Sequence, residues 1–367
     1  MKTLPDNIIT SNALGYITHI MRKNVIMHRG KVTTVFCTTK KNVSQNPIAQ
    51  SLDTCIDMKY IMPIAPLESR SAKFMLPKIP KKTEHLCFIA VGNNDLINYS
   101  KLVLANINDT YKLQSINYIV IPTTFGIGSE ATNMAILKDN IFFKPYAFMR
   151  LSKKNITRII VHDPLSLYNM STDDIISRIY TLLAHCIDFT LSSTANESTA
   201  ASACIRALSA GSAAVLFGCI GASNLQNTIL FPMAFNLTTM NSLLAKEIGH
   251  SIMHAMTYPL MNRGIGYHEA MHIIASVMCN TPITQQTKKY TDFLIRVRDY
   301  AKPRIILDKS VVSTLSPDNM VAEMQQSSMP FMDNCIETIR VPMLEKYCQY
   351  ICDEIIENHI EKGDEHD

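Results

Sequence analysis

Residues 121–132 read Ile121-Pro122-Thr123-Thr124-Phe125-Gly126-Ile127-Gly128-Ser129-Glu130-Ala131-Thr132. The stretch follows directly on Tyr118-Ile-Val-Ile121, a β-branched run that reads as a strand. It places two glycines beside the hydroxyls of Thr123, Thr124, Ser129 and Thr132. Glycine lets backbone N–H groups approach a phosphate closely, and hydroxyls add donors, so the run has the makings of an anion nest at a strand end. Taken alone, a glycine-rich surface turn accounts for it equally well.

Outward from this stretch, Val32–Cys37, Leu86–Val91 and Arg158–Val161 are further short runs of β-branched and aromatic residues. Asp95 to Ile107 has helical spacing and follows the Leu86 run directly. Strands alternating with helices predict a mostly parallel, Rossmann-like sheet with its ligands at the carboxyl ends of the strands. The Lys- and Pro-rich stretch from Ser69 to Lys82 reads as a loop inside this domain. After Asp163-Pro164 the pattern changes. Residues 171–222, 236–280 and 318–361 are apolar at helical spacing, and Ser171 with Asp174 has the form of a capping box. The expectation is an α/β domain over 1–165 and an all-helical domain over 166–367.

Composition narrows the function. In 367 residues, 47% are apolar and 18% charged, which supports packed cores and excludes wholesale disorder. The net charge of +4 is spread without a basic block, so nucleic acid is not an expected partner, although a local anion site remains open. No apolar run reaches the roughly 18–20 residues that span a bilayer, and MKTLPDNIIT makes a poor signal peptide. The ten cysteines are scattered without a CxxC pair, which fits reduced thiols in a cytoplasmic protein. The acidic stretch from Asp353 to Asp367 reads as a solvated helix end or tail.

Three histidines of the helical half, His185, His254 and His268, form the second constellation. Neutral imidazoles ligate zinc and iron readily, and a long helix followed by a turn can bring them together. His250 and His272 add i,i+4 partners to His254 and His268. Each histidine taken singly is more often a hydrogen-bonded core or surface residue.

Together these segments resemble one family. PTTFGIGSEAT is similar to the PTTxGTGSExT signature of the iron-containing alcohol dehydrogenases. HDPLSL at His162 to Leu167 resembles that family's DPxL turn between domains. HAMTYPL followed by GIGYHEA is similar to its HAxSYPLT and GxPHGxA metal segment, with the same spacing between histidines. Leu182 to Ser198 resembles its first metal helix, and with the SYPL form points to the branch of phosphonoacetaldehyde reductases. The matches occur in family order across roughly residues 86–275. The resemblance implies a dehydroquinate synthase-like architecture with an active site in the cleft between two domains. It implies a divalent metal, iron or zinc, on His185, His254 and His268, with His254 and His268 as catalytic residues at the reacting oxygen. It implies NADH or NADPH against Lys40, Gly92, Thr123, Thr124, Gly128 and Ser129. The substrate would be a small polar aldehyde or alcohol, handled by a cytoplasmic homodimer with no membrane or nucleic-acid partner.

Several positions depart from the family pattern. The metal-binding Asp expected four residues before His185 is Thr181, a much poorer ligand, with Asp188 one turn later. The GGGSxxDxAK phosphate loop is Gly92-Asn93-Asn94-Asp95-Leu96-Ile97-Asn98-Tyr99-Ser100-Lys101, so side chains and one negative charge stand where pyrophosphate would approach. Thr39-Lys40-Lys41 replaces DxG, which favours a phosphorylated ribose, and Tyr267-His268-Glu269 replaces PHG. Three functions remain open: an NAD(P)-dependent oxidoreductase, an enzyme of this fold turned to other small-molecule chemistry, and a non-catalytic partner protein.

Overall fold

The computed structural model describes residues 6–28, 31–56, 58–62, 76–125, 128–132, 134–137, 147–150, 155–167, 170–191, 199–221, 230–247, 252–281, 313–326 and 341–358, with positions 288, 291, 292, 295, 305 and 307. Gly126, Ile127, His250, residues 69–75 and 192–198, and the acidic tail beyond 358 lie outside the described residues. The chain divides into two compact units, Met1–Ser171 and Thr172–Asp367.

The first unit is built on a six-stranded, all-parallel sheet. Its strands are β1 (Asp6–Ile9), β2 (Val32–Thr39), β3 (Lys59–Met62), β4 (His85–Gly92), β5 (Ser115–Pro122) and, after a small hairpin, β8 (Ile156–His162). Their spatial order is β1-β8-β5-β4-β2-β3. The hairpin pairs β6 (Met134–Leu137) antiparallel with β7 (Ala147–Arg150). Helices α1 (Ala13–Met27), α2 (Lys40–Gln45), α3 (Pro47–Cys55) and α4 (Asn94–Tyr111) connect the parallel strands.

The central strand explains the continuous apolar runs of the sequence. In β4, Leu86, Phe88 and Ala90 pack under Leu96, Val103 and Leu104 of α4. The alternate residues Cys87, Ile89 and Val91 face Ala13 and Ile17 of α1 and Ile48 and Leu52 of α3. Both faces are covered, so every position must be apolar, and each fully buried Phe or Ile contributes about 1.5–3 kcal/mol.

The second unit is helical: α5 (Thr172–Thr190), α6 (Thr199–Gly221), α7 (Leu230–Glu247), α8 (Ile252–Asn262), α9 (Tyr267–Asn280), α10 (Pro317–Gln326) and α11 (Val341–Asn358). The helix expected over 236–280 is interrupted. Gly264, at φ +85°, reverses the chain, and the Ile265 N–H returns to the Leu260 carbonyl, closing α8 before α9 begins. No helix among the described residues is long and apolar enough to cross a membrane.

Candidate functional site

The carboxyl edge of the sheet contains a topological switch. From β2 the chain runs outward to β3, then returns to β4 on the other side of β2. Open parallel sheets bind ligands in the crevice such a reversal leaves. At the end of β2, Thr39 caps α2 by accepting the Asn42 N–H, and the exposed Lys40 begins that helix. At the end of β4, a Cβ on Gly92 would fall 2.2 Å from Leu96 Cδ2, so only glycine lets α4 fold this tightly onto the strand. Asn93 is extended (φ −72°, ψ −179°) and caps α4, its Oδ1 accepting the Leu96 N–H at 3.2 Å. Thr38 Oγ1 and Asn42 Nδ2 both donate to the Val91 carbonyl, tying the two strand ends together.

Beyond β5, the Thr123 N–H donates to the Gly92 carbonyl at 2.9 Å, and Thr124 follows it, partly exposed. Gly128 has φ +79°, a left-handed conformation that L side chains avoid, and opens a turn in which the Ala131 N–H returns to its carbonyl. Ser129 and Glu130 are buried. Lys101, wholly buried on α4, donates to the Ser129 carbonyl and to Asn98 Oδ1. Arg158 donates to the Thr132 carbonyl at 2.7 Å. Burial raises the Glu130 carboxyl to about 7, with Lys101 and Arg158 acting against the rise. Lys101 is thus a structural tie between α4 and the turn at Gly128. Among the described residues, Ser129 Oγ and Asn94 Oδ1 are buried without a hydrogen-bond partner.

The histidines gather in the second unit. The Tyr267 hydroxyl lies 2.7 Å from His185 Nε2 and 2.7 Å from His254 Nδ1, joining α5, α8 and α9. His185 Nδ1 is 3.0 Å from Asn241 Oδ1, and His254 Nε2 is 2.9 Å from the Tyr258 hydroxyl. Burial, with Tyr258 and Asp188 nearby, pushes the Tyr267 hydroxyl well above the usual tyrosine range. His268 is held by other groups: Arg178 Nη1 at 2.8 Å from its Nε2, and Thr181 Oγ1 at 2.9 Å from its Nδ1. Thr181 Oγ1 is also 3.1 Å from His272 Nε2. Burial and the Arg178 charge keep His268 well below the ordinary imidazole value. Asp188 does not replace the missing carboxylate at Thr181. Its Oδ1 accepts the Met253 and His254 N–H groups at the start of α8. Glu269 likewise serves its own helix, accepting the Gly266 N–H.

No family model matches the chain, and no curated protein matches it in sequence. Solved structures do. An iron-containing alcohol dehydrogenase from Thermotoga maritima superposes with a TM-score of 0.69 at 16% identity, covering 96% of this chain and 99% of its own. A sulfoacetaldehyde reductase from Bifidobacterium kashiwanohense, in complex with NAD+, gives 0.68 at 18%, covering 95% and 98%. A 1,3-propanediol oxidoreductase gives 0.70 at 13%, covering 96% and 98%. The fold is that of the iron-containing alcohol dehydrogenases.

Within this iron-alcohol-dehydrogenase fold the residues suit a nucleotide better than a metal. The N-terminus of α4 and the exposed Lys40 follow the two strands that flank the switch point and offer donors and positive potential there, while Asp95 in the first turn opposes them. The three imidazoles do not fit a divalent ion. Arg178 only donates, so His268 Nε2 must accept from it, and the ring proton therefore sits on Nδ1 toward Thr181. Neither nitrogen is left to ligate. Asn241 Oδ1 only accepts, so His185 carries its proton on Nδ1, and the Tyr267 O–H donates to Nε2. His254 Nδ1–H then donates to the Tyr267 oxygen, and Tyr258 donates to His254 Nε2. Every link of this chain from Asn241 through His185, Tyr267 and His254 to Tyr258 is satisfied with neutral groups. Among the described residues no set of three or more His, Cys, Asp or Glu side chains is arranged to hold a metal. The histidines stand out in the sequence as residue types, whereas Arg178, Asn241 and Tyr258 do not. A charge three residues before Thr181, in an otherwise apolar stretch of α5, was the available signal.

Proposed function

We propose that the chain is an NAD(P)-linked oxidoreductase interconverting a small polar aldehyde and its alcohol. The observation that carries this reading is the topological switch between β2 and β4, where Lys40 and the N-terminus of α4 stand at the carboxyl ends of two adjacent parallel strands. Two similar structures are a sulfoacetaldehyde reductase with NAD+ and a 1,3-propanediol oxidoreductase, which supports a nicotinamide cofactor and a short polar substrate. Lys40 and Lys41, replacing an acid at the end of β2, favour NADPH over NADH. The same reading makes the protein a cytoplasmic homodimer. NADPH consumption with short aldehydes carrying a sulfonate, phosphonate or hydroxyl group tests it. Saturable, aldehyde-dependent oxidation is expected, and its absence across the set would count against the reading.

A second reading follows from Asn93 and Asp95. Asn93 spends its side chain on the Leu96 N–H and Asp95 adds a charge in the first turn, so the phosphate cradle is less open than a triple glycine would make it. A divergent homologue without hydride chemistry, turned to another small molecule or to a protein partner, would show neither dinucleotide binding nor turnover.

A further inference from the structure

We propose that the histidine centre of the helical unit excludes divalent metal, with the Arg178 guanidinium standing as its built-in cation and the Tyr267 hydroxyl as its bridging group. The inference does not depend on the cofactor reading, because it concerns only side chains of α5, α7, α8 and α9.

Geometry and charge both carry it. A catalytic metal site needs at least three lone pairs converging on one point, commonly with an anionic ligand to offset the double charge. Here the Tyr267 oxygen occupies the point between His185 and His254, 2.7 Å from each. The third histidine turns its one lone pair to Arg178. An ion entering the centre would have to displace a tyrosine hydroxyl and a guanidinium, and would then sit near that guanidinium with Thr181 in place of a carboxylate. Thr181 completes the arrangement: its hydroxyl accepts from His268 Nδ1 and donates to the Ser177 carbonyl, which fixes the tautomer that faces Arg178. Arg178, Thr181 and Tyr267 act together here. Reverting one of them alone leaves the other obstacles in place.

The test uses the purified full-length protein. Metal analysis after expression with iron and zinc, and titration with cobalt followed by its visible absorption, should show no stoichiometric ion and no ligand-field band. The triple variant Arg178→Ala/Thr181→Asp/Tyr267→Phe should bind cobalt roughly 10–100-fold tighter than wild type, or more. That gain should disappear when His185→Ala is added. One equivalent of iron or zinc in the wild type, lost in His185→Ala, His254→Ala and His268→Ala, would overturn the proposal. An ion that all three variants retain lies elsewhere and leaves the centre metal-free. Should the triple variant fail to fold, nitrogen-15 shifts of the wild-type histidines decide the matter. His268 protonated on Nδ1 and unchanged by added zinc supports the proposal, and a zinc-dependent shift at His185, His254 and His268 refutes it.

Discussion

Tyr267 satisfies two imidazoles with one hydroxyl, so its loss falls on both. Tyr267→Phe leaves His185 Nε2 without its donor and His254 Nδ1–H without its acceptor, and we expect a loss of about 1–3 kcal/mol, read from the midpoint of urea unfolding. Glu130 gives a pH signature. Its folded carboxyl titrates near 7, above the ordinary 4.5, chiefly because it is buried. The folded state therefore holds a proton that the unfolded state has released between those values. This contribution is fully present below about 4.5 and is lost as pH rises through 7. Wild type should lose on the order of 1–3 kcal/mol between pH 5 and 8 from this group, and Glu130→Gln should remove that part of the slope. Positions of this kind were partly legible. Histidines at 185, 254 and 268 stand out as residue types, but their tautomers depend on partners distant in sequence. Arg178 reads in the sequence as an ordinary helical charge until it is found against His268.

Among the elements, the interior strands were the most readable, because a strand buried on both faces must be apolar throughout. The runs at Val32, Leu86, Tyr118 and Arg158 each became a strand within a few residues of the expected ends. The edge strands β1 and β3 leave no such run in the sequence. Each has four residues and pairs on one side only, and Asp6–Ile9 and Lys59–Met62 begin with charged residues that dilute the pattern. The α8–α9 break is hidden in the sequence because the apolar periodicity resumes in phase after Gly264 and Gly266. The turn from β4 into α4 supplies a prediction of its own. Asn93→Ala removes the cap and should cost about 1 kcal/mol, whereas Asn93→Gly should cost only a few tenths. Gly92→Ala places a Cβ 2.2 Å from Leu96 Cδ2 and 2.7 Å from Leu96 Cβ, and should destabilise by about 1–3 kcal/mol in the same denaturation assay.

Across the chain as a whole, the shared fold and the altered side chains point in different directions. The backbone follows the iron-containing alcohol dehydrogenases over nearly its full length at 13–18% identity. The turn from β4 into α4 and the histidine centre are meanwhile organised around Asn93, Asp95, Arg178 and Tyr267. The order of motifs therefore revealed the architecture, while the chemistry depends on a few positions that such motifs tolerate. Binding of a nicotinamide nucleotide at the ends of β2 and β4 is the central claim of the proposed function. The chain has no tryptophan, so the emission of bound NADPH stands on a tyrosine-only background. Titration of the full-length protein with NADPH and NADH, followed by that emission, should give saturable binding with NADPH the tighter of the two. The variant Asn93→Gly/Asn94→Gly/Asp95→Ser should bind roughly tenfold to a hundredfold more tightly, since removing a carboxylate beside a phosphate is worth on the order of 1–3 kcal/mol. No binding of either nucleotide by wild type or by this variant, with the fold intact, would contradict the oxidoreductase assignment.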